Sequence, residues 1–199
     1  PTLRDNPKIA KLYKNPLTKW IVLKTVKTKL ISTMGGCIRF FGIGGAPLDE
    51  TVWDFLYSCH FPYALGYGLT ETSPLIAGCG PKHKMHKKGY IGKPVKHDHV
   101  ILLNKNEDGV GEIAVKGPNV MTGYYNNEEL NKEVFTEDGY FKTGDLGYLD
   151  KHGYLSIRGR VKTMILGPAG ENIYPESIES LINNMEFVQE SLVVPGDGG

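Results

Sequence analysis

Several short stretches of this sequence carry side chains suited to charged, oxygen-rich ligands. In Gly66-Tyr67-Gly68-Leu69-Thr70-Glu71 a tyrosine stands between two glycines, so the backbone can approach a ligand closely while the ring offers a face to an adenine base. Thr70 supplies a neutral hydroxyl donor and Glu71 a hard carboxylate oxygen, a pairing suited to a phosphoryl oxygen and its Mg²⁺. Other signals fail on spacing. Gly42-Ile43-Gly44-Gly45-Ala46-Pro47 does not complete a dinucleotide-binding glycine fingerprint, and Gly92-Lys93-Pro94 lacks the upstream glycine and the hydroxyl residue of a P-loop. His97 and His99 have no local third ligand. The run Lys82 to Lys88 has no interleaved aromatics and reads as a solvated loop rather than a nucleic-acid surface.

The elements that must position these residues follow from patterning. Leu17, Trp20, Ile21, Leu23, Val26 and Leu30 predict a helix over residues 15–33 with its lysines toward water. A β-rich run, Cys37 to Ile43, leads to a glycine turn. Asp49 then caps a helix expected to bury Val52, Phe55 and Leu56, with Trp53 as a further candidate. The run Phe61 to Leu65 reads as a second strand ending at Gly66-Tyr67-Gly68, the carboxyl end where open α/β sheets bind ligands. Beyond Gly89 the pattern becomes short β-runs at Val100–Leu103, Glu112–Val115, Tyr140–Lys142, Tyr148–Leu149 and Tyr154–Ile157, separated by Asp-Gly and His-Gly turns. This predicts a mostly antiparallel, barrel-like section. Pro175 opens a helix with Ile178, Leu181 and Ile182 on one face, and Phe187 to Val194 reads as a buried strand. The fold class is α/β with mixed α+β character.

Composition excludes several classes. With 199 residues, 40% hydrophobic and 23% charged, the chain has the make-up of a globular protein rather than a collagen or a disordered tract. Its longest apolar runs are too short to span a bilayer. Cys37, Cys59 and Cys79 are odd in number and widely spaced, which suggests neither a disulfide framework nor a zinc site, and a reducing cytoplasmic setting is expected. The net charge of +1 hides 15 Lys+Arg against 6 Asp+Glu in residues 1–100, and 8 against 16 in the remainder. Such a split leaves open an anion-binding half, although solvated charge is the simpler reading.

Taken together and in order, Gly44-Gly45-Ala46-Pro47, Gly66–Glu71, Tyr140-Phe141-Lys142-Thr143-Gly144-Asp145, Arg158–Lys162 and Gly170–Glu179 resemble the adenylate-forming superfamily of acyl-CoA synthetases, peptide-synthetase adenylation domains and luciferases. Taken singly, Tyr67 could equally be a core aromatic, Asp145 a turn former and Arg160 half of a surface ion pair. The resemblance implies that Tyr67 stacks on adenine, and that Thr70 and Glu71 are catalytic groups at the α-phosphate and the magnesium, Glu71 being the metal ligand. It implies that Asp145 accepts hydrogen bonds from both ribose hydroxyls, that Arg160 is a second ribose or phosphate contact, and that Gly45, Ala46, Pro47 and Gly68 border the nucleotide. Lys162 resembles the family's hinge residue, and Gly170 the glycine of a loop that approaches the CoA channel.

On that resemblance residues 1–161 are the later part of a large N-terminal domain, with an α/β portion at 36–88 and an antiparallel portion at 89–161. Residues 162–199 are the truncated start of a small C-terminal domain. Pro1 and the run ending at Gly199 read as edges of a longer chain. A Thr/Ser/Gly-rich phosphate loop ahead of residue 44 and a catalytic lysine beyond Gly199 are expected and not found, so this piece alone is expected to be inactive. The implied activity is ATP-dependent formation of an acyl-adenylate from a fatty acid and its transfer to CoA, in the manner of a long-chain fatty-acid–CoA ligase. The cofactors and partners implied are ATP, Mg²⁺, a carboxylic acid and CoA, with no nucleic acid and with peripheral membrane contact left open. The alternatives are an adenylation domain loading a carrier protein, and a non-catalytic nucleic-acid or lipid binding module.

Overall fold

Helix α1, Pro16–Thr33, begins where Asn15 accepts the Leu17 amide on its side-chain oxygen and Pro16 fills the first turn. A computed structural model of the chain describes residues 14–46, 48–167 and 171–196. It falls into two compact units, one of residues 1–64 and 80–86, the other of residues 65–79 and 87–199.

In the first unit α1 buries none of its residues, and Leu17, Trp20 and Ile21 are exposed alongside the lysines. At about 100° per residue Leu17, Trp20 and Ile21 fall on one side of the cylinder and Leu23, Val26 and Leu30 on another, so the apolar side chains form no single stripe. Strand β1, Phe41–Gly44, takes only the last three residues of the β-rich run at 37–43 and extends into Gly44. Helix α2, Glu50–Ser58, starts on Asp49, whose Oδ1 accepts the amides of Thr51 and Val52 at 2.8 and 3.1 Å. Its buried stripe runs through Trp53 and Leu56 and continues to Cys59, so Val52 is exposed and Phe55 only half-buried, against expectation. The i, i+3 spacing of 53, 56 and 59 selects that face. Strand β2, Tyr63–Tyr67, begins in this unit and ends in the next.

In the second unit the end of β2 pairs antiparallel with β3, Ala77–Cys79, and β3 with β4, Lys93–Pro94. A four-stranded antiparallel sheet follows in the order β5 (His99–Leu103), β6 (Gly111–Lys116), β7 (Phe141–Leu149), β8 (Leu155–Arg160). The mixed α/β class is the one expected, and the antiparallel section is an open sheet, not a closed barrel. Two expected runs, at 140–142 and 148–149, fall at the ends of one nine-residue strand, which begins at Phe141 rather than Tyr140. Register shifts beside Glu112 and beside Leu146 let β7 continue through Thr143-Gly144-Asp145, which composition alone reads as a break. Ile76, Ala77, Ile113, Val115, Phe141 and Leu155 form the core beneath it.

Helix α3, Glu128–Val134, capped by Asn127, lies between the expected β-runs at 112–115 and 140–142, where the sequence pattern assigns no element. A two-stranded ladder joins β9, Ile165–Leu166, to β10, Asn172–Ile173, and helix α4, Pro175–Asn183, starts at the expected proline. In α4 Pro175 is buried, whereas Ile178 and Leu181 are exposed. Residues 187–194 are not a buried strand. Phe187, Leu192 and Val194 are exposed and form no ladder, because among the described residues no strand lies alongside to take their backbone groups. No helix among the described residues is long and apolar enough to cross a membrane.

Candidate functional site

The loop leaving β2 folds back on itself so tightly that a Cβ at Gly68 would overlap the Pro74 carbonyl oxygen. The Tyr67 carbonyl accepts the Ile76 amide at 2.8 Å, closing the turn. Inside it the fully buried Thr72 hydroxyl accepts the Leu69 amide and shares its proton between the carbonyls of Leu69 and Pro74. Residues Thr70–Thr72 form a single 3₁₀ turn, leaving Thr70 exposed and Glu71 half-buried on its surface.

Asp145 is placed by β7. Gly144 takes φ +73°, a region that favours glycine, and its amide donates to Glu112 Oε1 at 3.2 Å. The Thr143 hydroxyl donates to the Ile113 carbonyl and accepts the Asp145 amide. Across the ladder Asp145 pairs in register with Arg160 of β8. The Asp145 residue is 6% exposed. Its Oδ2 accepts the Tyr67 hydroxyl at 2.8 Å and its Oδ1 lies 3.0 Å from Arg160 Nε. A buried carboxylate is costly without such donors. The guanidinium itself remains largely in solvent, with 63% of the Arg160 side chain exposed. Burial, reinforced by the Asp145 charge, pushes the Tyr67 phenol far above the ordinary tyrosine range. It therefore stays protonated and keeps donating to the carboxylate.

Nearby in sequence, Glu71 is held by a third partner. Its Oε1 accepts the Tyr124 hydroxyl at 2.8 Å, and its backbone carbonyl accepts the Met121 amide at 2.8 Å. Burial first, then the hydrogen bond to Glu71, raises the Tyr124 phenol above its usual value. The Glu71 Oε2 takes no hydrogen bond among the described residues.

Tyr67, Asp145 and Arg160 are thus brought into contact, and Gly68, Thr70 and Glu71 share the adjoining loop. Gly45 and Ala46 lie exposed after β1 in the first unit. Lys162 is exposed in the turn following β8. Pro47 and Gly170 lie outside the described residues. Sequence reasoning missed Tyr124, Thr143 and Glu112. Tyr124 follows a glycine as Tyr67 does, which was an available signal; Glu112 carries none, since only the β6–β7 register brings it to Gly144. Among the described residues no three His, Cys, Asp or Glu side chains gather as a metal cluster, so any cation here would rest on Glu71 with ligands from elsewhere.

The AMP-binding enzyme family matches residues 7–125. A 2-succinylbenzoate–CoA ligase of Listeria innocua is 34% identical over an alignment of 195 residues, covering 96% of this chain and 40% of that protein. A long-chain-fatty-acid–CoA ligase of Rattus norvegicus is 34% identical over 182 residues, covering 91% of this chain and 26% of the relative. The solved structure of o-succinylbenzoate CoA synthetase from Bacillus subtilis, in complex with the acyl-adenylate intermediate OSB-AMP, matches with a TM-score of 0.75 at 34% identity, covering 88% of this chain and 37% of that one. The chain therefore spans less than half the length of these relatives. With the family's match covering more than half of its residues, the chain belongs to the AMP-binding enzymes.

Proposed function

We propose that this chain is the nucleotide-gripping portion of an adenylate-forming acid–CoA ligase and that it works within a longer polypeptide. The observation that carries the reading is the contact of Tyr67, Asp145 and Arg160 across two strands and a loop. A carboxylate oxygen has about two acceptor sites. Tyr67 and Arg160 each engage one oxygen of Asp145, which leaves each oxygen capacity for a ribose hydroxyl. The exposed Arg160 guanidinium suits a ribose or phosphate oxygen, and the Tyr67 ring, anchored through its hydroxyl, offers a face to adenine.

In the reaction, an oxygen of the acid's carboxylate attacks the α-phosphorus of ATP, the bond to the bridging oxygen breaks, and pyrophosphate leaves with that electron pair. The Thr70 hydroxyl, exposed on the 3₁₀ turn, donates to an α-phosphate oxygen as charge builds there. Glu71 fits a magnesium ion by the chemistry of its donor set, since Mg²⁺ is usually held by one or two carboxylates together with substrate phosphates. Bound there, Mg²⁺ supplies charge neutralisation at the phosphoryl oxygens. In the second step the CoA thiol loses its proton to solvent and its sulfur attacks the acyl carbonyl; the bond from the acyl carbon to the phosphate oxygen breaks and AMP departs with that electron pair. We place a hinge at Lys162, between domains 1–161 and 162–199, with the Gly170 loop serving the second step, because the two steps need different groups at one carbonyl. Gly45, Ala46 and Pro47 border the adenine in this reading, and the setting is the cytoplasm.

The acid is either 2-succinylbenzoate or a long-chain fatty acid, each supported by a relative that activates it. ATP–pyrophosphate exchange by the complete polypeptide, run with both acids in parallel, tests the reading and names the acid. Asp145→Ala is expected to weaken AMP binding on the order of 100-fold, the loss of two hydrogen bonds to a charged acceptor, about 3 kcal/mol. AMP affinity left unchanged in a folded variant would overturn the ribose assignment, and absence of exchange with both acids would overturn the proposed substrates.

A further inference from the structure

Glu71 is gripped from a direction that the nucleotide motifs do not predict. The segment from Gly117 to Tyr124, which follows β6, runs against the loop that carries Thr70 and Glu71. The Asn119 side-chain Nδ2 donates to the carbonyls of Thr72 and Leu75 at 2.9 and 2.8 Å and lies 3.0 Å from Asp98 Oδ2. The Met121 amide donates to the Glu71 carbonyl at 2.8 Å. The Tyr124 hydroxyl donates to Glu71 Oε1 at 2.8 Å. Tyr124 is in turn fixed by α3, since the Asn131 side chain accepts its amide at 2.7 Å and donates to its carbonyl at 2.9 Å. One carboxylate is therefore held at both its main chain and its side chain by a segment contributing nothing else to the Tyr67–Asp145–Arg160 contact.

We infer that Tyr124 is a positioning residue, which aims the Glu71 carboxylate so that its remaining oxygen faces a divalent cation. The inference rests on the proposed reading of Glu71 as the magnesium ligand. A free glutamate has three rotatable side-chain bonds, and ordering it only when the cation arrives would weaken the site. A hydrogen bond from a neutral phenol to one oxygen removes that freedom beforehand and leaves the negative charge in place. Asn131 makes the device rigid, because it locks the backbone from which the phenol projects. The helix that sequence patterning missed, α3, thereby acquires a purpose as the support of this tyrosine.

The test uses the complete polypeptide with Mn²⁺ as a paramagnetic probe, reading bound metal by electron paramagnetic resonance in the presence of ATP, and AMP affinity without metal as the control for folding. Tyr124→Phe removes one oxygen atom and is expected to weaken Mn²⁺ retention about tenfold while AMP affinity holds. Asn131→Ala, which keeps the phenol but frees its backbone, shifts metal affinity the same way by a smaller factor and stands in if Tyr124→Phe fails to fold. Glu71→Gln weakens the metal at least as much, and adding Tyr124→Phe to it changes nothing further, since the tyrosine acts only through the carboxylate. Undiminished Mn²⁺ affinity in Tyr124→Phe, beside a weakened Glu71→Gln, overturns the inference alone. Equal losses from Tyr124→Phe with and without Glu71→Gln overturn it in favour of a structural role. Undiminished affinity in Glu71→Gln overturns the reading of Glu71 beneath it.

Discussion

Each of the two units holds a cluster of aromatic and titratable side chains, and they are built on opposite principles. In the second unit the Asp145 carboxylate is buried yet engaged at one oxygen by the neutral Tyr67 hydroxyl and at the other by Arg160, whose guanidinium reaches into solvent. In the first unit Trp53 stacks on Tyr57, Tyr57 on His83 and His83 on His60, with ring centroids 4.6, 3.9 and 4.0 Å apart. Tyr63 stacks on His86 at 4.0 Å, and His86 Nε2 lies 3.0 Å from the Tyr63 carbonyl. Here polarity is suppressed. Burial lowers the affinity of both His83 and His86 for a proton. A cluster that retains charge beside an open guanidinium is poised for an anionic ligand, whereas rings stacked on one another have already used their faces. Aromatic and ionisable residues together do not make a site; what matters is whether a charge is left to be shared.

The comparison breaks most severely at Gly68. Alanine there is expected to cost about 3–5 kcal/mol or to rebuild the loop, since its methyl group meets backbone rather than a side chain that can move. Denaturant melts should show that loss, and AMP binding should disappear with it. A Gly68→Ala protein of normal stability would mean that the loop is looser than its geometry implies.

Tyr67→Phe sharpens the contrast. It keeps the ring and removes the hydroxyl from Asp145, leaving the buried carboxylate one donor short, at about 1–3 kcal/mol. Calorimetry should find AMP binding weakened less than by Asp145→Ala. The same change at Tyr57, whose ring sits within the stack, should leave AMP binding untouched.

The smallest effect is the pH response of the first unit. A histidine whose folded affinity for protons is lowered contributes stability that is complete above its unfolded value near 6.5 and is lost as pH falls through that value toward the lower folded one. Melting temperature should therefore decline modestly between pH 7 and 5, and His86→Gln should flatten the decline. The second unit should respond at lower pH. Burial would raise the Asp150 carboxyl, but the Lys87 ammonium and the amides of Tyr154 and His152 bring it down to about 2, so its contribution is present above about pH 4 and is lost as pH falls from there toward 2.

Much of this molecule was legible along the chain. The cap at Asp49, the proline start of α4 and the Asp-Gly turn before β6 depend on contacts within four residues, and such signals are written locally. The order of the motifs pointed to the family, and Tyr67, Glu71, Asp145 and Arg160 were legible as residue types. Tertiary structure alone decided their partnerships. Tyr67 meets Asp145 across 78 positions and Tyr124 meets Glu71 across 53. No periodicity encodes such pairs, because they depend on how strands register and which loops close. For the same reason Thr143-Gly144-Asp145 reads as a turn yet continues a strand once neighbours on both sides supply its ladder. Residues 187–194 show the converse: strand-like in composition, they remain without a ladder, since β-propensity becomes a strand only where another strand receives its hydrogen bonds.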